Sequence, residues 1–202
     1  MNDAPNQLDE GSVQADGRQL LHVRQIVCKG YRRQDQLFEF EGSLHDRKTY
    51  DSSLPFREIA AGEAVHSMQM TMVLDEALVI REIRGTTGSA PTPYCYEIDG
   101  AYAALQGLSI AQGFRANALE RIGSEKGCTH LTDLLWSLAT TAIQTTATLK
   151  YDAARKEQEN NPATKPHWIV GTCHAYRADG DVVRIMGLHP TANEQGPTAN
   201  RS

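Results

Sequence analysis

The side chains in this sequence that could do chemistry are a few cysteines and histidines, and Cys128 is the first of them. It lies in Gly127-Cys128-Thr129-His130-Leu131, just before Leu131, Leu134, Leu135, Leu138, Ala142 and Ile143 recur at helical spacing. That spacing puts the thiol at or beside a helix N-terminus, where unpaired N–H groups and the helix dipole favour thiolate over thiol. A thiolate next to an imidazole is the start of a metal site or of an activated nucleophile. The same residues also read as a small buried cysteine on a tight turn, with His130 packed or solvated.

Two further residues join them. His66 heads the run Val65–Leu74 and is in phase with Met68, Met70 and Met72. Alone, a methionine stripe of period two is ordinary core and a histidine at its end an edge residue. Cys95 stands between a Pro-rich loop and the residues capped by Asp99. In a sheet covered by helices on one face, the three loops carrying these residues can converge on one sheet edge. Zinc and iron take Cys and His in sites of three or four ligands, so the expected metal site is His66, Cys95 and Cys128, with His130 in reserve. Cys128 is also the candidate catalytic nucleophile. Cys173 and His174 are adjacent, and on a strand at most one of two neighbours reaches a site. The sequence has no C-x-x-C pair, phosphate-binding glycine loop, serine nucleophile elbow or His-Glu-x-x-His helix.

The elements that must position these residues follow from the periodicity. Leu20–Cys28 reads as a strand, with Leu20, His22, Arg24 and Ile26 on one face. Leu37–Leu44 reads as another, with Phe38 and Phe40 together. A polar connection follows through Asp46, Lys48 and Asp51 to Pro55, and Gly30-Tyr31-Arg32-Arg33 reads as a solvated turn. Val65–Leu74 and Leu78–Ile83 form a hairpin about Asp75-Glu76-Ala77. Gly85–Pro93 is a loop by composition. Short helices over Ala101–Leu105 and from Ser109 to Ile122 precede a long one from about Thr129 to about Glu159. Ala178-Asp179-Gly180-Asp181, between His167–Tyr176 and Val182–Leu188, gives a C-terminal hairpin signal. The reading is an α+β fold with an antiparallel sheet. A single domain spans residues 19–189, between disordered tails at 1–18 and 190–202.

Composition narrows the function classes. A formal charge of -5 and a pI near 5.8 argue against a general nucleic-acid binder. No apolar run approaches a membrane span, and Met1–Gly17 has no hydrophobic signal segment, so a cytoplasmic location is the expectation. In that reducing compartment the four cysteines are thiols or ligands rather than disulfides.

Taken together, several motifs make the chain resemble a bacterial family catalogued as domain of unknown function 2889. They are Gly30-Tyr31-Arg32-Arg33, Glu41-Gly42 with Leu44 and Asp46, Val65-His66 with Met68, and Asp75 with Leu78 and Ile80. Cys95, Leu105-x-Gly107-Leu108-x-Ile110, Gly113-Phe114 and Gly127–Leu131 complete the set. More distantly, the order of elements is similar to the IscU/NifU-type iron–sulfur cluster scaffolds. That likeness implies an IscU/NifU-like core with extra N-terminal strands, and ligands at the positions of His66, Cys95 and Cys128. The family resemblance brings no established activity. The reading is a metal-binding or sulfur-handling accessory protein carrying zinc or iron. The alternatives are a small catabolic enzyme, using Cys128 or a zinc-activated water, and a non-catalytic domain that binds a small molecule or protein partner.

Overall fold

The computed structural model describes residues 16–111, 113–160 and 169–188. The expected tails lie almost entirely outside these residues. The chain divides into two compact units, the first ending at Thr145 and the second beginning at Thr146.

In the first unit β1 (His22–Arg32), β2 (Phe38–Lys48), β5 (Ala64–Leu74) and β6 (Ile80–Ser89) form an antiparallel sheet in the order β1-β2-β5-β6. A small hairpin, β3 (Ser52–Leu54) with β4 (Arg57–Ile59), bridges β2 to β5. A 3-10 helix (Pro93–Leu105), α1 (Phe114–Ile122) and the long α2 (Thr129–Asn160) follow; α2 belongs to this unit as far as Thr145. The architecture is α+β with an antiparallel sheet, as the periodicity requires.

Alternation decides which sheet face is dry. Phe38, Phe40 and Leu44 on β2, and Met68, Met70, Met72 and Leu74 on β5, are all buried. Opposite them Leu131, Leu134, Leu135, Leu138 and Ala142 of α2 are fully buried, and all of these join one core. Each such leucine contributes roughly 1.5–3 kcal/mol of burial. Two glycines let the helix come close. A Cβ on Gly42 would meet Leu134 Cδ1 at 2.8 Å and Leu138 Cγ at 3.0 Å, and one on Gly30 would meet the Phe40 ring and Thr145 Oγ1 at 2.8 Å each.

Gly30, Tyr31 and Arg32 belong to β1 rather than to a turn; the turn follows, closed by Arg33 N–H to the Leu37 carbonyl. Strand β2 continues to Lys48 and takes in Asp46, which composition assigns to a connection. It continues because it is paired on both sides, Asp46 facing Arg24 on β1 and His66 on β5. Strand β6 likewise extends through Gly85–Ser89, expected to be loop. Gly85, Thr86 and Thr87 pair with Met70, Gln69 and Met68, and buried Thr87 gives its N–H and its hydroxyl to the Asp99 carboxylate. Asp99 is thus held by the sheet instead of capping a helix. Gly113, with φ of 85°, delays the expected second helix to Phe114.

In the second unit the expected C-terminal hairpin is absent among the described residues; His167 and Trp168 lie outside them. Residues 169–179 form turns, and Asp181–Ile185 is a short helix, α3. The stop signal, not the Asp-Gly pair, decides the outcome. Gly187 adopts φ of 65°, its N–H reaches the Arg184 carbonyl, and Leu188 N–H reaches that of Val183. This is a helix-ending Schellman arrangement, with Val183 and Leu188 both buried. Asp181 supplies a carboxylate at the helix start and pairs with Arg184 at 2.7 Å.

Candidate metal centre

The row that ends this face of the sheet is polar. Arg24, Asp46 and His66 face one another across β1, β2 and β5, in phase with the apolar rows before them. Asp46 is 1% exposed and is the hub of the group. Arg24 donates from Nε to Asp46 Oδ1 and from Nη2 to Oδ2, both at 2.8 Å. His22 Nε2 lies 3.1 Å from Oδ1. Burial pushes the Asp46 carboxyl up, but the Arg24 and His22 hydrogen bonds and the Arg24 charge outweigh it and hold its pKa at about 2. The group is a carboxylate at any physiological pH.

Helix α2 brings the rest. Tyr102, fully buried in the 3-10 helix, donates its hydroxyl to the Cys128 carbonyl at 2.8 Å and accepts the Cys128 N–H at 3.2 Å. It also bonds Thr132 Oγ1 at 2.8 Å. This fixes the start of α2, and with it His130. The His130 ring stacks on that of His66, with centroids 3.7 Å apart and planes at 26°. Asp133, one turn on, accepts Arg24 Nη1 at 2.8 Å.

Three donor atoms converge. His66 Nδ1 is 3.2 Å and His130 Nε2 is 3.8 Å from Asp46 Oδ2, and ligand atoms of the three residues lie within 4.8 Å of one another. Ligands of a tetrahedral zinc, each about 2.0–2.1 Å from the ion, sit about 3.3 Å apart, so the spacing needs only small adjustment. Near as it is to Asp46, His66 Nδ1 is out of line for a hydrogen bond. It is one of two buried side-chain polar atoms among the described residues that lack a hydrogen-bond partner. Burial first, and then the neighbouring His130, push the His66 pKa down to about 4 against the pull of Asp46. Burial, with the Arg24 charge, lowers His130 as well. Both rings are therefore neutral imidazoles near pH 7, the form that ligates metals.

Of the residues the sequence singles out, the structure brings His66, His130 and Cys128 into contact. Cys128 Sγ lies 3.8 Å from His130 Nδ1, the ring nitrogen opposite the one that faces Asp46. Cys95 is outside the three-residue ligand group; its thiol lies 3.4 Å from Thr92 Oγ1. Asp46, Arg24, His22 and Asp133 are additions. A signal for Asp46 was available, since residues 38, 40, 42, 44 and 46 keep one period-two phase. His22 and Arg24 already share a face in the periodicity of the first strand.

The family whose model matches residues 22–144 is described as "Protein of unknown function (DUF2889)". The chain belongs to this family. The DUF2889 match contains the whole four-stranded sheet and every residue of the polar group. No curated protein and no solved structure gives a significant match. The donor set itself, rather than a likeness to cluster scaffolds, has to carry the chemistry. One carboxylate and two imidazoles suit a mononuclear ion such as zinc or iron(II) better than a thiolate-held cluster. Among the described residues, no helix is long and apolar enough to cross a membrane.

Proposed function

We propose that this protein is a metal-binding accessory protein whose centre is Asp46, His66 and His130, with zinc or iron(II) as the ion. The observation that carries the reading is His66 Nδ1, a buried nitrogen with no hydrogen-bond partner, 3.2 Å from a permanently ionised carboxylate and beside a second neutral imidazole. Two neutral imidazoles and a carboxylate leave one or more coordination positions open, which suits a site that passes on or activates a ligand. The bound ion would supply Lewis acidity there. On binding, the stacked rings would splay so that both nitrogens point at one place, while Cys128 would hold the far nitrogen of His130. The test is metal content of untagged protein after reconstitution with Zn(II) or Fe(II). One ion per chain is expected in the wild type and in Cys95→Ser, with loss in His66→Ala and Asp46→Asn. A folded wild type that takes up neither ion overturns the reading.

One observation favours a second reading. His130 stands between Cys128 and Asp46, 3.8 Å from each, in the order thiol–imidazole–carboxylate of a nucleophile activated by a base. Here Cys128 attacks a substrate and metal is dispensable. Rapid alkylation of Cys128 at neutral pH, slowed in His130→Ala and indifferent to chelators, would select it over the metal reading.

A further inference from the structure

Arg24 occupies the carboxylate that the metal needs. Its Nη2 binds Asp46 Oδ2, the same oxygen that faces His66 Nδ1 and His130 Nε2, while its Nε holds Oδ1. A guanidinium does not lose its charge at accessible pH, so this cation cannot be titrated away. A divalent ion entering beside Oδ2 meets a fixed positive charge at hydrogen-bonding distance from its own ligand. Arg24 has a second anchor, however. Its Nη1 donates to Asp133 Oδ2 at 2.8 Å, and Asp133 is half exposed on α2. Arg24 also stands on β1, an edge strand of the sheet, with its side chain 37% exposed, so it has room to swing towards solvent.

We propose that Arg24 is a built-in competitor for the metal at Asp46, and that Asp133 is the anchor to which it retreats when the ion binds. The proposal rests on the metal-centre reading and adds what sets the affinity of that centre. With the site empty, Arg24 neutralises the buried carboxylate and keeps the core end intact. With the ion bound, Asp46 turns its charge to the metal and the guanidinium stays tethered to Asp133. The site is thereby tuned to ions that bind nitrogen and oxygen ligands strongly enough to displace an arginine, and against weakly binding magnesium or calcium. Asp133 is a positioning residue: it acts on the metal through Arg24.

The experiment is a Zn(II) titration of the full chain against a chromogenic chelator, for the wild type, Arg24→Met, Asp133→Asn and the double variant. Arg24→Met should bind Zn(II) at least ten-fold tighter than the wild type. Asp133→Asn, which leaves Arg24 only Asp46 to bind, should bind at least three-fold more weakly. In the Arg24→Met background the Asp133 change should have no effect, because its influence runs through the arginine. Weaker or unchanged Zn(II) binding by Arg24→Met overturns the competitor role while leaving the metal centre standing. An equal loss from Asp133→Asn in both backgrounds also overturns it, since that marks simple charge attraction. Should Arg24→Met fail to fold, Arg24→Gln takes its place in both backgrounds, and tighter or unchanged binding by Asp133→Asn refutes the retreat in either case. Absence of Zn(II) binding in both wild type and Arg24→Met removes the metal reading and this inference with it.

Discussion

The two ends of the surface that the sheet presents to α2 use the same geometry for opposite purposes. Towards the Phe38 end, residues in one period-two phase are Phe40, Met70, Met72 and Leu74, closed by Leu138 and Ala142 of the helix. At the other end the same phase yields Asp46 and His66, with Arg24 beside them and His130 and Cys128 from the head of the helix. Burial is complete at the apolar end and graded at the polar one, where Asp46 is enclosed, His66 and His130 are partly buried and Arg24 reaches solvent. The apolar end gains from burial itself, in proportion to area. The polar end loses by it: desolvation works against the ionised Asp46 and against a charge on either histidine. The sheet tolerates that row because Arg24 and His22 satisfy the carboxylate. What remains unsatisfied is one ring nitrogen, where a ligand would be stabilising. A polar row at the end of an otherwise apolar face is where a functional or strained site is expected.

The comparison is broken most directly by removing the hub. Asp46→Asn should cost roughly 1.5–3 kcal/mol, since it removes the charge-assisted hydrogen bonds from Arg24, and should abolish metal uptake. Chemical denaturation and metal analysis of one preparation test both parts. Leu138→Ala, at the apolar end, should cost about 3 kcal/mol by denaturation and leave Zn(II) affinity within a few-fold of wild type. If the leucine variant lost the metal as fully as the asparagine variant, the two ends would not be separable.

Acid sharpens the contrast. His66 takes its proton near pH 4 in the folded protein but near 6.5 when unfolded, so between those values the unfolded state binds more protons. Metal-free protein should therefore be at full stability above pH 6.5 and lose up to about 3 kcal/mol through His66 as the pH falls to 4, with His130 adding in the same direction. His66→Ala should make that limb of a stability–pH curve shallower, leaving the His130 share. The Asp46 contribution has the opposite kind of origin. It is present above the unfolded carboxylate pKa and is lost only as the pH falls through about 2, so it does not blur this window. The smallest effect is expected from Tyr102→Phe, which removes the hydroxyl that ties the start of α2. A loss of about 1–2 kcal/mol is expected, with weakened Zn(II) binding as His130 loses its fixed place. Unchanged metal affinity in that variant would mean that His130 is positioned by its own packing alone.

The alternation of Phe38, Phe40, Met68, Met70 and Met72, and the helical spacing of Leu131, Leu134, Leu135 and Leu138, determine an antiparallel sheet covered by a long helix. Those periods are local and survive in any tertiary arrangement consistent with burial. His66, Cys128 and His130 were legible as candidates for the same reason, each being tied to a strand or helix end. The tertiary structure decided where strands stop and which polar residues are enclosed. Asp46 looks like a connection until pairing on both sides extends β2 over it, and Thr87 looks like loop until Met68 and Asp99 claim it. The helix at Asp181–Ile185 depends on the backbone of Gly187 and on Val183 meeting Leu188, a contact that outweighs an Asp-Gly turn signal. The partners of a buried carboxylate come from β1, β5 and α2, separated by tens of residues in the chain. Which charges meet is fixed by register and helix placement, and neither is written in a residue's own neighbourhood.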